Sequence, residues 1–314
     1  MTKIRLSQAW IDRATSEGED EVLVVGRRSG TLPSARDLSA VVAKAAPTEA
    51  VREMVRRKWF VAPSTSTRAA ALEDFLFGRA SRLLPSLAPM FRRQARQRDL
   101  VEDIVTLAWL SGVADKAAKQ DAGSYNESRL SDSTIAQLVQ LSKREFGPAE
   151  ALSYLAKLGV RVVVENSLPG MHADGASFVV KNVGPVIGLT LRYDRLDNFW
   201  FTLLHEIGHL KLHMKRDPAA VFVDSIEDQD DEPAESEIEA EADAFAKDSF
   251  VPRDVWLRSD VYRMGNEPAI LALAKKLNIH PAVVAGRLRY ERRQYKSFAH
   301  LLGSRSVRDL LIAG

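Results

Sequence analysis

The chain reads as an α+β protein, with a small sheet beside one apolar helix and a mostly helical N-terminal region. Three features carry that reading. Helical apolar spacing runs through much of residues 1–120, three short β-branched runs lie between 160 and 191, and an apolar run carrying one polar stripe follows at 199–212.

Taken in order, residues 38–44, 48–60, 67–83 and 87–119 have helical spacing, punctuated by Pro33, Pro47, Pro63, Pro85 and Pro89. A short strand-like run at 21–25 precedes Gly26. The densest basic stretch, 91–98, holds Arg92, Arg93, Arg96 and Arg98 without interleaved aromatics, so it reads as a solvated helix face rather than a nucleic-acid contact. Gly123, Asn126 and several serines make 120–133 the best linker candidate. Helices are expected at 134–146 and 148–158, the second closed by Gly159 as a C-cap. Strands are expected at 160–164, 176–181 and 185–191, separated by turns at Pro169-Gly170 and Asp174-Gly175 and by a break at 182–184. An exposed edge of such a sheet can pair with a substrate backbone. Near the C-terminus, 270–289 reads as helix, turn at Asn278 and Ile279, then a helix from Pro281. Here Ala274, Leu277, Val284 and Leu288 favour core packing over DNA reading. The chain therefore divides into a helical region, 1–125, and a second domain, 126–314, whose part at about 266–295 is helix-turn-helix-like.

Composition narrows the class. The chain has 314 residues, 46% hydrophobic and 27% charged, with a formal net charge of +2, as expected of a globular protein with a sizeable core. It has no cysteine, which excludes disulfides and thiolate metal sites and fits a cytoplasmic setting. Residues 1–20 are polar and no run approaches the length of a membrane span, so neither a secretory signal nor a membrane association is expected. The near-zero balance hides asymmetry: residues 217–248 carry 13 acids against one Lys, whereas 249–314 carry 12 Lys/Arg against 5 acids. The acidic run 224–237 reads as a solvated loop, or as a rim that steers a basic protein substrate.

The chemistry-bearing motif is His205-Glu206-Ile207-Gly208-His209. Two histidines one helical turn apart can reach one metal ion from a single helix face, and the glutamate beside them can accept a proton from water. On a 3.6-residue helix Thr202, His205, Glu206, His209 and His213 form one polar stripe on an otherwise apolar cylinder, and a buried polar stripe must be satisfied. A catalytic zinc needs a third protein ligand. His213 lies about 12 Å along the axis from His205, too far for one ion. Leu212 and Lys215 stand where the metzincin pattern requires Gly and His. The favoured third ligand is Glu239, on a helix-forming stretch after Pro233, with Ala242, Asp243, Ala246 and Phe250 on the same side. Glu235 is the runner-up, and Glu237 and Glu241 fall near the opposite, solvated face. Asp243 is placed to accept a ring N–H from a ligand histidine and fix its tautomer. Tyr193, His172 and His280 are unranked candidates for stabilising an oxyanion.

The block from His205 to Leu210, the downstream Glu239-Ala-Glu-Ala-Asp243-Ala-Phe245-Ala246 and the following Val251-Pro252 resemble the ImmA/IrrE family of bacterial zinc metallo-endopeptidases. The segment 160–213, with Leu168-Pro169-Gly170 and the run 195–200, is similar to the longer, regulator-like members. The resemblance covers roughly 130–295. It implies a gluzincin-like domain that cleaves a helix-turn-helix repressor in a phage, mobile-element, stress or toxin–antitoxin setting. By position it implies one Zn2+ per chain on His205, His209 and Glu239, with Glu206 as the catalytic glutamate. The chain departs from many long relatives in lacking a convincing N-terminal helix-turn-helix. The reading is thus a cytoplasmic zinc endopeptidase acting on a DNA-binding regulator. The alternative is a non-proteolytic DNA- or protein-binding module with a structural or vestigial metal site.

Overall fold

The computed structural model describes residues 42–45, 48–76, 100–214, 221–224, 237–303 and 307–313. The expected strand at 21–25, the basic stretch 91–98 and most of the acidic run 224–237 lie outside the described residues. The chain forms two compact units, 1–112 with 168–171, and 113–167 with 172–314.

In the first unit, helix α1 (Glu49–Arg56) begins where Thr48 accepts the Val51 N–H, a side-chain cap that satisfies a backbone donor the helix leaves open. Its Ala50, Val51 and Met54 are buried. Helix α2 (Arg68–Asp74) buries Leu72 and, through burial, raises the pKa of Glu73. Residues 100–112 of helix α3 (Leu100–Ala117) also belong to this unit; Gly112 lies under the Trp59 ring, where a Cβ would sit 2.9 Å from Cζ2.

The second unit holds the functional elements. Segment 120–133 is not a free linker. The Gly123 N–H bonds Ala156 O, a Cβ there would meet Lys157 O at 2.6 Å, and Gln120 donates to Val162 O. Helix α4 (Asp132–Leu141) is capped by Ser131, and α5 (Gly147–Lys157) starts with Pro148 in its first turn. Gly159, at φ 86°, closes α5, and the Val160 N–H returns to Leu155 O as in a Schellman motif.

Strands β1 (Arg161–Val164), β2 (Gly175–Val180) and β3 (Gly184–Leu189) fall within two residues of their expected bounds. A fourth strand, β4 (Val221–Asp224), completes a sheet of order β1-β3-β2-β4. β1 pairs parallel to β3, and β2 pairs antiparallel to both β3 and β4. Gly175 and Ser177, alternating on β2, face helix α6 (Leu196–Gly208), because a Cβ on Gly175 would meet Thr202 and Glu206. Every residue of α6 except Asn198 and Phe201 is buried.

Helix α7 (Glu237–Phe250) packs along α6. Short helices α8 (Arg253–Arg258) and α9 (Asp260–Met264) lead to α10 (Glu267–Leu277) and α11 (Pro281–Glu291). Asn278, left-handed at φ 59°, makes the turn between the last two. The helix-turn-helix-like text is therefore real geometry, but its Ala274, Val284 and Leu288 are buried and α11 packs on α6. Helix α12 (Val307–Ala313) ends the described chain, with Val307 and Leu310 in the core.

Candidate metal centre

Helix α6 presents His205, Glu206 and His209, all buried. The His205 and His209 Nε2 atoms stand 2.9 Å apart, and Glu239 Oε2 of α7 lies 3.3 and 3.2 Å from them. These three are the group among the described residues whose donor atoms, all within 4.8 Å of one another, could hold a metal ion.

The outer ring nitrogens are already engaged. His205 Nδ1 lies 3.1 Å from Asp243 Oδ1, and Lys247 donates to the other Asp243 oxygen at 2.8 Å. His209 Nδ1 lies 3.1 Å from His213 Nδ1, and His213 Nε2 is 2.9 Å from Glu241 Oε2. With the outer nitrogens so used, the inner ones turn lone pairs toward a carboxylate. Such a donor set repels itself unless a cation joins it, and two imidazoles with one carboxylate fit a zinc-type divalent ion.

Without a cation, a proton on a ring Nε2 must take its place beside Glu239. Burial raises Glu239, but the His205 and His209 rings outweigh it and hold the carboxyl at about 2. Burial also raises Asp243, yet His205 and Lys247 keep it below its ordinary value. Burial lowers His209, more than Glu239 raises it, which favours the neutral imidazole a metal requires.

Two close approaches set this geometry. A Cβ on Gly175 would lie 2.4 Å from Glu206 Oε1, so the sheet backbone backs directly onto that carboxylate. A Cβ on Gly208 would lie 3.2 Å from Ala242 Cα, so α6 and α7 meet at backbone distance. Phe222 of β4 stacks on the His209 ring, 4.4 Å between centroids and 9° between planes.

Of the residues singled out from sequence, the structure brings His205, His209 and Glu239 together and sets Asp243 behind His205. The Tyr193 ring meets the Arg192 and Arg195 guanidinium groups, 5.4 and 5.2 Å from its centroid, and His172 is exposed. His280 caps α11, its Nδ1 accepting the Ala282 N–H. None of these three belongs to the metal-capable cluster.

One expectation needs correction. Glu241 is not on a solvated opposite face, because its carboxylate meets His213. The buried line of α7 runs through Ala242, Ala246 and Phe250. At about 100° per residue, Glu239 and Asp243 lie about 60° and 100° from Ala242 on one side, and Glu241 lies about 100° from it on the other. Sequence reading also missed Phe222, although Val221-Phe222-Val223 has the β-branched and aromatic character of a strand.

Fold and site together define an α+β protein with a metal-capable helix motif and a downstream glutamate, the arrangement of a metallopeptidase. Residues 155–289 match the family model of the IrrE N-terminal-like domain, a metallopeptidase family, and this part of the chain belongs to the ImmA/IrrE family. No curated protein and no solved structure matches the chain significantly. Among the described residues, no helix is long and apolar enough to cross a membrane.

Proposed function

We propose that the protein is a cytoplasmic zinc-dependent endopeptidase of restricted specificity that cuts a partner regulator, a helix-turn-helix repressor in a stress, phage or toxin–antitoxin setting. The observation that carries this reading is the convergence of His205, His209 and Glu239 beside a Glu206 carboxylate seated against Gly175. His205, His209 and Glu239 would hold the ion, and Asp243 would keep the His205 Nε2 lone pair turned inward by accepting its Nδ1–H. Bound there, zinc supplies the Lewis acidity that polarises a scissile carbonyl and makes water more acidic. Glu206 accepts the proton of the attacking water and passes it to the leaving amine. Its carboxylate cannot swing back toward the sheet, because Gly175 leaves no room behind it.

The test compares wild type with Glu206→Gln, which keeps the shape but cannot accept the proton. New protein N-termini are tagged in a native lysate after incubation with each zinc-loaded protein. Termini that arise with wild type and not with Glu206→Gln support the reading and identify the substrate. Equal cleavage by both removes Glu206 from the mechanism.

A further inference from the structure

His213 is not among the three ligands, yet the fold spends a distorted turn on it. Residues His209–His213 are π-helical, with the Met214 N–H reaching back to His209 O at 3.0 Å. Such turns are rare and concentrate at functional sites. The wider turn sets His213, 3% exposed, against His209, with 3.1 Å between their Nδ1 atoms. Both rings pack on Phe222, which closes the pair from the sheet side.

Counting protons along this chain of contacts leaves one arrangement for neutral rings. The Glu241 carboxylate only accepts, so His213 Nε2, 2.9 Å away, carries a hydrogen and donates it. His213 Nδ1 is then a lone pair, and the nitrogen facing it must be the donor. That nitrogen is His209 Nδ1, so the one hydrogen of His209 is spent outward and its Nε2 keeps a lone pair aimed at His205 and Glu239.

We infer that His213 and Glu241 are positioning residues that set the His209 tautomer for metal binding through two successive hydrogen bonds, as Asp243 does for His205 through one. The inference rests on the metal-site reading above, which assigns no role to either residue. It also accounts for a glutamate on each flank of the Ala242 line: Glu239 reaches the inner nitrogens and Glu241 controls an outer one. Outer partners of this kind alter metal affinity by 10- to 100-fold in other sites.

Zinc affinity is measured by chelator competition on wild type, Glu241→Ala, Glu241→Gln and, as a ligand control, Glu239→Ala. In parallel, 15N-histidine-labelled protein is examined by NMR for the tautomers of His209 and His213. Glu241 is partly exposed, so its truncation leaves the core intact. Glu241→Ala is expected to weaken binding about 10-fold and to mix the His213 tautomers. The amide oxygen of Glu241→Gln still accepts and should restore affinity to within about threefold of wild type. If wild type binds zinc and Glu241→Ala binds equally well with unchanged tautomers, the relay is overturned while the site stands. Equal losses in Glu241→Ala and Glu241→Gln would assign the effect to charge and overturn the tautomer role. A wild type that binds no zinc overturns the site and the relay together.

Discussion

Gly208 and Ala242 bring α6 and α7 to backbone contact: a Cβ on Gly208 would stand 3.2 Å from Ala242 Cα and 3.1 Å from the Phe245 ring. This approach lets Glu239, on a different helix from the histidines, come within 3.3 Å of both. Gly208→Ala should separate stability from binding. Ala is favoured in a helix by about 1 kcal/mol, which offsets the tight contact, so the denaturant midpoint should move little. Zinc affinity should nevertheless fall about 10-fold as α7 shifts by a few tenths of an ångström. Chelator competition beside a denaturant melt checks both halves.

Gly175 plays the corresponding part for Glu206. A methyl group there would lie 2.4 Å from Glu206 Oε1 and 2.8 Å from Thr202 Cγ2, distances no native Cβ contact adopts. Gly175→Ala is expected to cost about 1–3 kcal/mol by overpacking. It should also displace the carboxylate, lowering kcat/KM on an identified substrate by at least about 100-fold. Zinc content should stay near wild type, since the atoms nearest the added methyl belong to Glu206 and Thr202 rather than to His205, His209 or Glu239. Metal lost together with activity would contradict this division of labour.

Acid should destabilise the metal-free protein in two windows. Burial holds His209 below its ordinary 6.5, so the folded state binds fewer protons than the unfolded one, and stability falls as pH drops below 6.5. The rings of His205 and His209 outweigh burial at Glu239 and hold it at about 2 against an ordinary 4.5. Its contribution is therefore present above 4.5 and lost as pH falls toward 2. Chelator-treated melts from neutral pH downward test the order. Glu239→Gln should shrink the lower window, to which Asp243 still contributes, and deepen the upper one, because the carboxylate opposes the depression of His209.

The C-terminal helix pair is anchored by charge as well as by its apolar face. Asp197, at the start of α6, pairs with Arg195 at 2.9 Å and with Arg289 of α11 at 3.9 Å, and Gly286 leaves room for its Cβ. Arg289 is 6% exposed and also donates to Tyr295 O. Asp197→Ala strands that buried charge and should cost about 3–5 kcal/mol in a denaturant melt. A loss under 1 kcal/mol would show that the pair contributes nothing to holding α11.

The histidine pair, Glu239 and three of the strands were legible because each is a local pattern. An i,i+4 pair, a helical face and β-branched runs depend on residues close in sequence. What escaped depends on contacts distant in sequence. Glu241 reads as solvated because the buried line of α7 is fixed by Ala242 meeting Gly208, which no spacing rule on α7 alone reveals. His213 lies about 12 Å from His205 on an ideal helix, and it stands outside the metal-capable group. The π turn that aims it at His209 is a tertiary outcome. Strand β4 is four residues long beside an acid-rich stretch, too short for its alternation to stand out.

Metal content by elemental analysis, on wild type and Glu239→Ala purified without chelator, tests the central claim most directly. The account predicts about one zinc per wild-type chain and a marked loss in Glu239→Ala. A wild type that stays empty after added zinc, or a Glu239→Ala variant as full as wild type, would contradict it.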